Sequence, residues 1–291
     1  MTETARVSVS DVVRIAFSES TARLEANEPA IRAARDPEAV HQARVATRRL
    51  RSDLRTLRRF IDPEWAQHFR AELRWLGAEL GAVRDIEVLS ERFTVHAELL
   101  TAADGRAARE AIRRLDTDEA VARNDLLLAL RSARYTQLDR ALHDAATDPK
   151  LTPAAHRRAR NALPDTVRPT WRKLLHAVNE LPSAPPDAAL HGVRIRAKRC
   201  RYACELASPV IGHRAQELAD AVARVQDVLG EHQDAVVARA WLAKAAPECS
   251  PPEAYALGML AEIERVLALE ARGAFPKVWR AARRPALRSW L

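Results

Sequence analysis

A helix carrying a row of cations is written twice in this sequence, as AVHQARVATRRLRSDL over 39–54 and as ALHGVRIRAKRCRYAC over 189–204. At an offset of 150 residues His41 matches His191, Arg44 matches Arg194, Arg48 matches Lys198, Arg49 matches Arg199 and Arg51 matches Arg201. Arginine forks, lysine ammonium groups and histidine donors at such spacing are the chemistry of anion binding, because planar guanidinium groups grip phosphate and carboxylate through paired hydrogen bonds. A repeated basic face predicts two halves of one anion site.

In the first copy Val40, Ala43, Thr47, Leu50, Leu54 and Leu57 alternate at steps of three and four, which makes a packing seam. His41, Arg44, Arg48, Arg51, Arg55 and Arg58 follow the same alternation one residue later, so they lie about 100° round the helix, beside the core. The second copy has Leu190, Val193, Ala197, Cys200 and Cys204 as its seam, with His191, Arg194, Lys198 and Arg201 along the basic edge. Like charges three and four apart destabilise a helix by about 0.2–0.5 kcal/mol per pair, so the first stripe costs roughly 1–2 kcal/mol unless something opposes it. Asp53 is the only carboxylate between Glu38 and Asp62. A solvated surface face is the bland alternative, and two such stripes in register argue against it. From His41 to Arg58 the helix rises about 26 Å at about 1.5 Å per residue, which suits a linear polyanion better than a single phosphate.

The histidines heading the stripes are candidates for anion donors, structural hydrogen-bonders or metal ligands. Metal binding is the weakest of these, since no ligand stands at i+3 or i+4. Arg84-Asp85 and Gln233-Asp234 lie in the matching segments LGAVRD and LGEHQD, at an offset of 149. Their acids are expected either to cap a helix or to hold a stripe arginine in place. Tyr202 and the tryptophans are expected in the core.

Several elements position these residues. Asp36-Pro37-Glu38 and Asp62-Pro63-Glu64 each offer a cap, a first-turn proline and an early acid, so helices begin near 37 and 63. The stripe Trp65, Phe69, Leu73, Leu76, Leu80 predicts a helix ending at Gly81, followed by another from about 83 to 100 and a long charged helix over about 104–133. DAATDPKLTP over 144–153 marks the boundary between two modules, 1–150 and 151–291. A helix is expected over 166–181, then the second basic helix, then a helix over 211–229 that ends at Gly230.

Composition supports an all-helical chain: 291 residues, 47% hydrophobic, 5% aromatic and only eight glycines. The net charge is +8, with 42 arginines against five lysines, which reflects either a general arginine bias or the needs of a site. Cys200 and Cys204 are expected as small reduced core residues, since no further ligands stand at zinc spacing. The opening MTETARVSVS lacks a leader pattern and no apolar run is long enough to span a bilayer, so a cytoplasmic location is expected.

At these residues the chain resembles the CHAD family, the conserved histidine α-helical domain. The resemblance rests on His41, Arg44, Arg48, Arg49 and Arg51 with LGAVRDIEVL, and on His191, Arg194, Lys198, Arg199, Arg201, Tyr202 and Glu205 with VQDVLGEHQDAVVA. It implies an all-α protein of two pseudo-symmetric antiparallel four-helix bundles around a basic central pore or groove. It further implies binding of inorganic polyphosphate, association with cytoplasmic polyphosphate granules and possible contact with polyphosphate-metabolising enzymes. The implied site has His41, Arg44, Arg48, Arg49, Arg51 and Arg55 on one wall, with Arg84 beside them, and His191, Arg194, Lys198, Arg199 and Arg201 on the other. Asp85 and Asp234 support them; no cofactor, metal or catalytic residue is implied. Two features depart from many relatives: the Glu-x-Glu-x-Lys strand of a triphosphate tunnel domain is missing, and Arg84 becomes Gln233 in the second copy. The alternative is a nucleic-acid-binding protein using the same basic face, which lacks stacking groups among its cations. A phosphatase or kinase needs clustered carboxylates for magnesium or a phosphate-cradling loop, and neither pattern is present.

Overall fold

The computed structural model describes residues 7–33 and 36–291; the first six residues of the opening segment lie outside them. The protein is all-helical. In chain order the helices are α1 (Val9–Arg32), α2 (Pro37–Thr56), α3 (Pro63–Ala97), α4 (Ala102–Ile112), α5 (Arg114–Arg131), α6 (Ala133–Thr147), α7 (Ala159–Asn179), α8 (Asp187–Ile211), α9 (His213–Ala245) and α10 (Pro251–Ala282).

The proline signals at 37 and 63 start helices as expected. Asp36 accepts from the Glu38 amide and Asp62 from the Trp65 amide, which satisfies donors that the first turn leaves open. The two glycines do not end helices. α3 runs through Gly81 to Ala97 and α9 runs through Gly230 to Ala245, so the helices expected to break at about 81 and 230 are continuous. Among the glycines only Gly212, with φ 89°, has the left-handed backbone that stops a helix, and it separates α8 from α9. The long helix expected over 104–133 is instead two, α4 and α5, broken at Arg113, and α6 follows after Ser132, whose hydroxyl accepts from the Tyr135 amide. α7 starts seven residues earlier than expected and carries Pro164 and Pro169 within it.

Helices adjacent in sequence pack side by side: α1 on α2, α2 on α3, α7 on α8, α8 on α9 and α9 on α10. α2 also packs directly on α8, which brings the two basic helices together. The boundary segment after α6 is pinned rather than loose, since the Asp62 amide donates to the Lys150 carbonyl and the Thr152 amide to the Phe60 carbonyl.

The expected seams are buried. Val40, Ala43, Leu50 and Leu54, and Leu190, Val193, Ala197, Cys200 and Cys204, are at most 1% exposed. They belong to one apolar cluster that takes side chains from both sides of residue 150. A smaller cluster, built on Phe93, Ala108, Leu115, Leu242, Leu257 and Leu260, joins the far ends of α3 and α9 to α4 and α10. Among the described residues no helix is long and apolar enough to cross a membrane.

Candidate functional site

Because each basic stripe lies one residue beyond a buried seam, its side chains emerge at the edge of the α2–α8 contact. Their first members converge there. His41, Arg44 and Arg48 from α2, Arg84 and Asp85 from α3, His191, Arg194 and Lys198 from α8, and Gln233 and Asp234 from α9 line one cavity of about 410 Å³. Both glycines expected to end helices sit where α3 and α9 pass these arginines. The Cβ position of Gly81 is 3.9 Å from Arg44 Nε, and that of Gly230 is 3.6 Å from Arg194 Nε.

Opposition to the stripe's self-repulsion comes from other helices. Arg44 Nη1 donates to Asp85 Oδ1 at 2.7 Å, across 41 residues of sequence. Arg84 Nη1 donates to Glu87 Oε2 at 3.1 Å, and Arg123 reaches the other oxygen of Glu87. Arg48 Nε donates to the Tyr202 hydroxyl at 2.8 Å, and the tyrosine ring also lies under the guanidinium groups of Arg48, Arg49 and Arg201 at 5.3–6.0 Å. Tyr202 is a core residue, 6% exposed, yet it aims a groove arginine.

The groove is strongly positive at partly buried positions, and its titrating groups respond. Lys198 is pulled down to about 7, first by burial and then by Arg48, Arg194 and Arg44, with Asp234 opposing. Burial likewise lowers His41, against Glu38 and with Arg84, Arg48 and Arg44. Asp234 is raised by burial, although Arg194 and Arg92 oppose the shift. Arg194 Nε and His191 Nδ1 are buried atoms with no hydrogen-bond partner. The Arg194 Nε–H is an unsatisfied donor that an anion in the groove would complete, and His191 Nδ1 adds a second in the tautomer that carries its proton there.

The remaining members of the implied site are elsewhere. Arg49, Arg51, Arg55, Arg199 and Arg201 do not line the groove, so the basic row is divided rather than continuous. Arg49 Nη1 and Arg201 Nε both donate to Glu205, and these three line a neighbouring cavity of about 690 Å³ between α1, α2 and α8, which shares His41, Val45 and Arg48 with the groove. Asp53 lines that cavity too, fully buried, and burial raises its carboxyl to about 7 despite Arg49. Arg51, Arg55 and Arg199 lie on the opposite flank of the α2–α8 contact.

The sequence reading missed Arg92. This residue lines the groove and is fixed from behind: Nε donates to both oxygens of Glu264 at 2.8 Å, and Nη2 donates to Glu231 at 2.6 Å. Its place at Asp85+7, two turns further along the same face of α3, was the available signal.

The site and fold define a helical protein with a composite basic groove between two like helices. A model of the family described as "CHAD domain" matches residues 15–243, and the chain belongs to that family. It is 31% identical over 278 residues to the uncharacterized proteins MT2285 and Rv2226 from two strains of Mycobacterium tuberculosis, covering 90% of this chain and 51% of each relative. The chain therefore spans about half the length of those curated relatives. Among solved structures it is similar to PptA from Streptomyces chartreusis, with a TM-score of 0.78, 25% identity and coverage of 94% of this chain and 100% of that one. It is also similar to the CHAD domain from the plant Ricinus communis, with a TM-score of 0.67, 25% identity and coverage of 98% and 92%.

Proposed function

We propose that this CHAD domain binds inorganic polyphosphate, without catalysing its turnover, in the groove between α2 and α8. The observation that carries this reading is the lining of one cavity by matching residues of both repeats: His41 with His191, Arg44 with Arg194, and Arg48 with Lys198. Internal duplication, with halves 1–150 and 151–291 related by a pseudo-twofold, accounts for that pairing. Each half supplies one helix of the basic wall and one glycine-bearing helix, α3 or α9, beside it. Arginine and lysine contact successive phosphates, and the histidines add donors. Asp85 holds Arg44 in line, and Asp234 stands behind Arg194 and Lys198.

In this role the protein is brought to polyphosphate granules, alone or with an enzyme that makes or degrades the polymer. Binding of a polyanion through several cations releases counterions and weakens steeply with salt. Labelled long-chain polyphosphate, competed by orthophosphate, single-stranded DNA or RNA at two salt concentrations, tests the reading. Long-chain polyphosphate is expected to displace the label and DNA to fail at equal phosphate concentration; displacement by DNA would make the domain a nucleic-acid binder. Reversal of Arg44, Arg48, Arg194 and Lys198 to Glu should abolish binding while the far-UV melt stays helical. Unchanged binding in that variant would remove the groove from the site.

A further inference from the structure

α1 packs on α6, and a polar lock between them sets their register. The Tyr135 hydroxyl donates to Glu28 Oε2 at 2.6 Å, and Arg32 Nε donates to the other oxygen of Glu28 at 2.7 Å. Leu24 on α1 and Leu138 and Leu142 on α6 belong to the larger apolar cluster. One turn away from the lock on each helix, Glu25 on α1 and Asp139 and His143 on α6 bring one carboxylate oxygen each and a ring nitrogen within 4.8 Å of one another.

The histidine is turned for ligation. His143 Nδ1 lies 2.9 Å from the Asp139 carbonyl, which can only accept, so Nδ1 carries the proton of the neutral ring and Nε2 keeps its lone pair. An imidazole that donates one ring N–H to a backbone carbonyl and offers its other nitrogen is the common arrangement of a metal-binding histidine. Nε2 stands 3.1 Å from Glu25 Oε1, a buried atom without a hydrogen-bond partner. Two ligand atoms on a tetrahedral zinc, each at about 2.0–2.1 Å from the metal, lie about 3.3 Å apart. The pair thus already stands at nearly the separation that a shared metal imposes. Asp139 and His143 are four apart on one face of α6, the spacing by which a helix presents two ligands to one ion. Two carboxylates and a neutral imidazole balance a dication, and the nitrogen favours zinc or a metal of its class over magnesium and calcium, which take oxygen ligands. An ordinary surface pair looks different: His176 and Glu180 are also four apart on one helix, at 3.9 Å, and no third ligating side chain joins them among the described residues.

We propose that Glu25, Asp139 and His143 form a binding site for one divalent transition-metal ion of zinc's class, with water completing the shell. The site lies outside the groove and does not depend on what the groove binds. Its ligands come from two helices whose register is set one turn away, so the ion ties α1 to α6 without reordering the backbone.

Zinc titrated into the full chain in the absence of polyphosphate, followed by calorimetry and by the thermal midpoint, tests the site. One ion per chain is expected, with a rise in midpoint of about 4 °C at roughly a hundredfold excess over its Kd. Magnesium or calcium at the same concentration should give no rise. His143→Ala should weaken zinc binding by more than about a hundredfold and abolish the rise, since loss of an outer-shell partner alone costs about 10–100-fold. Glu25→Gln and Asp139→Asn should each weaken binding at least about tenfold. His176→Ala should change neither reading. All four positions are partly or fully exposed, and melts without metal show that each variant folds. No zinc binding by the unaltered chain, or a loss in His143→Ala no greater than in His176→Ala, would overturn the site. So would unchanged binding in both carboxylate variants, which would leave a lone histidine holding an adventitious ion.

Discussion

Lys198 is the residue on which the groove's response to pH turns. Its folded-state pKa, about 7, is depressed from the ordinary 10.5 because the ammonium is buried among Arg48, Arg194 and Arg44. The sign follows directly. A lysine with a depressed pKa favours the fold in full above the ordinary 10.5, and that contribution is lost progressively as pH falls from there to about 7, below which the charge is carried inside a positive groove. A bound polyanion reverses the penalty, raises the pKa and draws a proton in. Polyphosphate affinity is therefore expected to increase as pH falls from about 8 to about 6, with net proton uptake near neutrality. Calorimetry in buffers of different ionisation enthalpy measures that uptake. Lys198→Arg, charged throughout the range, should flatten the profile, leaving only the part that His41 adds at the acid end. An equally steep profile in the variant would assign the proton to another group.

At the scale of the helix, the arginine stripe is legible from sequence because it shares its period with a buried seam, and so Val40–Leu54 and Leu190–Cys204 fall where periodicity puts them. Segment ends are less legible. The breaks at Arg113 and Ser132 carry neither glycine nor proline, and the packing of α4 against α10 and of α6 against α1 lies outside any local pattern. Gly81 and Gly230 show the opposite failure, since a strong punctuation signal sits inside continuous helices. Partner choice is the least legible part of the site: Arg49 finds Glu205 156 residues away and Arg92 finds Glu264 172 residues away. The glycines supply a test at this scale. A methyl group on Gly81 or Gly230 would meet its arginine at 3.9 or 3.6 Å, ordinary contact distances. Gly81→Ala and Gly230→Ala are thus expected to raise stability by about 1 kcal/mol each, by removing the backbone freedom of a mid-helix glycine. Denaturant melts measure this. A loss of stability would mean that the arginines need a closer approach to these helices than the contacts indicate.

Over the whole molecule, the two halves are joined by more than the groove. The larger apolar cluster contains Val9 and Val40 as well as Val225 and Ala282, so neither half has a core to itself. A polar joint stands behind the groove: Glu264 on α10 is fully buried and accepts from Arg92 on α3, with His96 Nδ1 3.0 Å from the same carboxylate. Arg92 also reaches Glu231 on α9, so three long helices meet at one guanidinium. Breaking a buried ion pair by removing one partner costs up to about 3–5 kcal/mol, and because Arg92 keeps the half-exposed Glu231 the loss of Glu264 falls toward the lower end of that range. Glu264→Ala should therefore lower the thermal midpoint of the entire protein in one cooperative transition, because the joint lies between elements that share a core. Glu264→Gln, which keeps the shape and an acceptor, should lose less. Arg92 lines the groove and would keep only Glu231 as a partner, so the loss of Glu264 makes the groove more positive, and polyphosphate should stabilise Glu264→Ala by a larger increment than it stabilises the unaltered chain. Calorimetric scans with and without the polymer measure both effects. Two separate transitions in Glu264→Ala would show instead that the halves fold independently, and an equal increment would show that Arg92 does not face the bound chain.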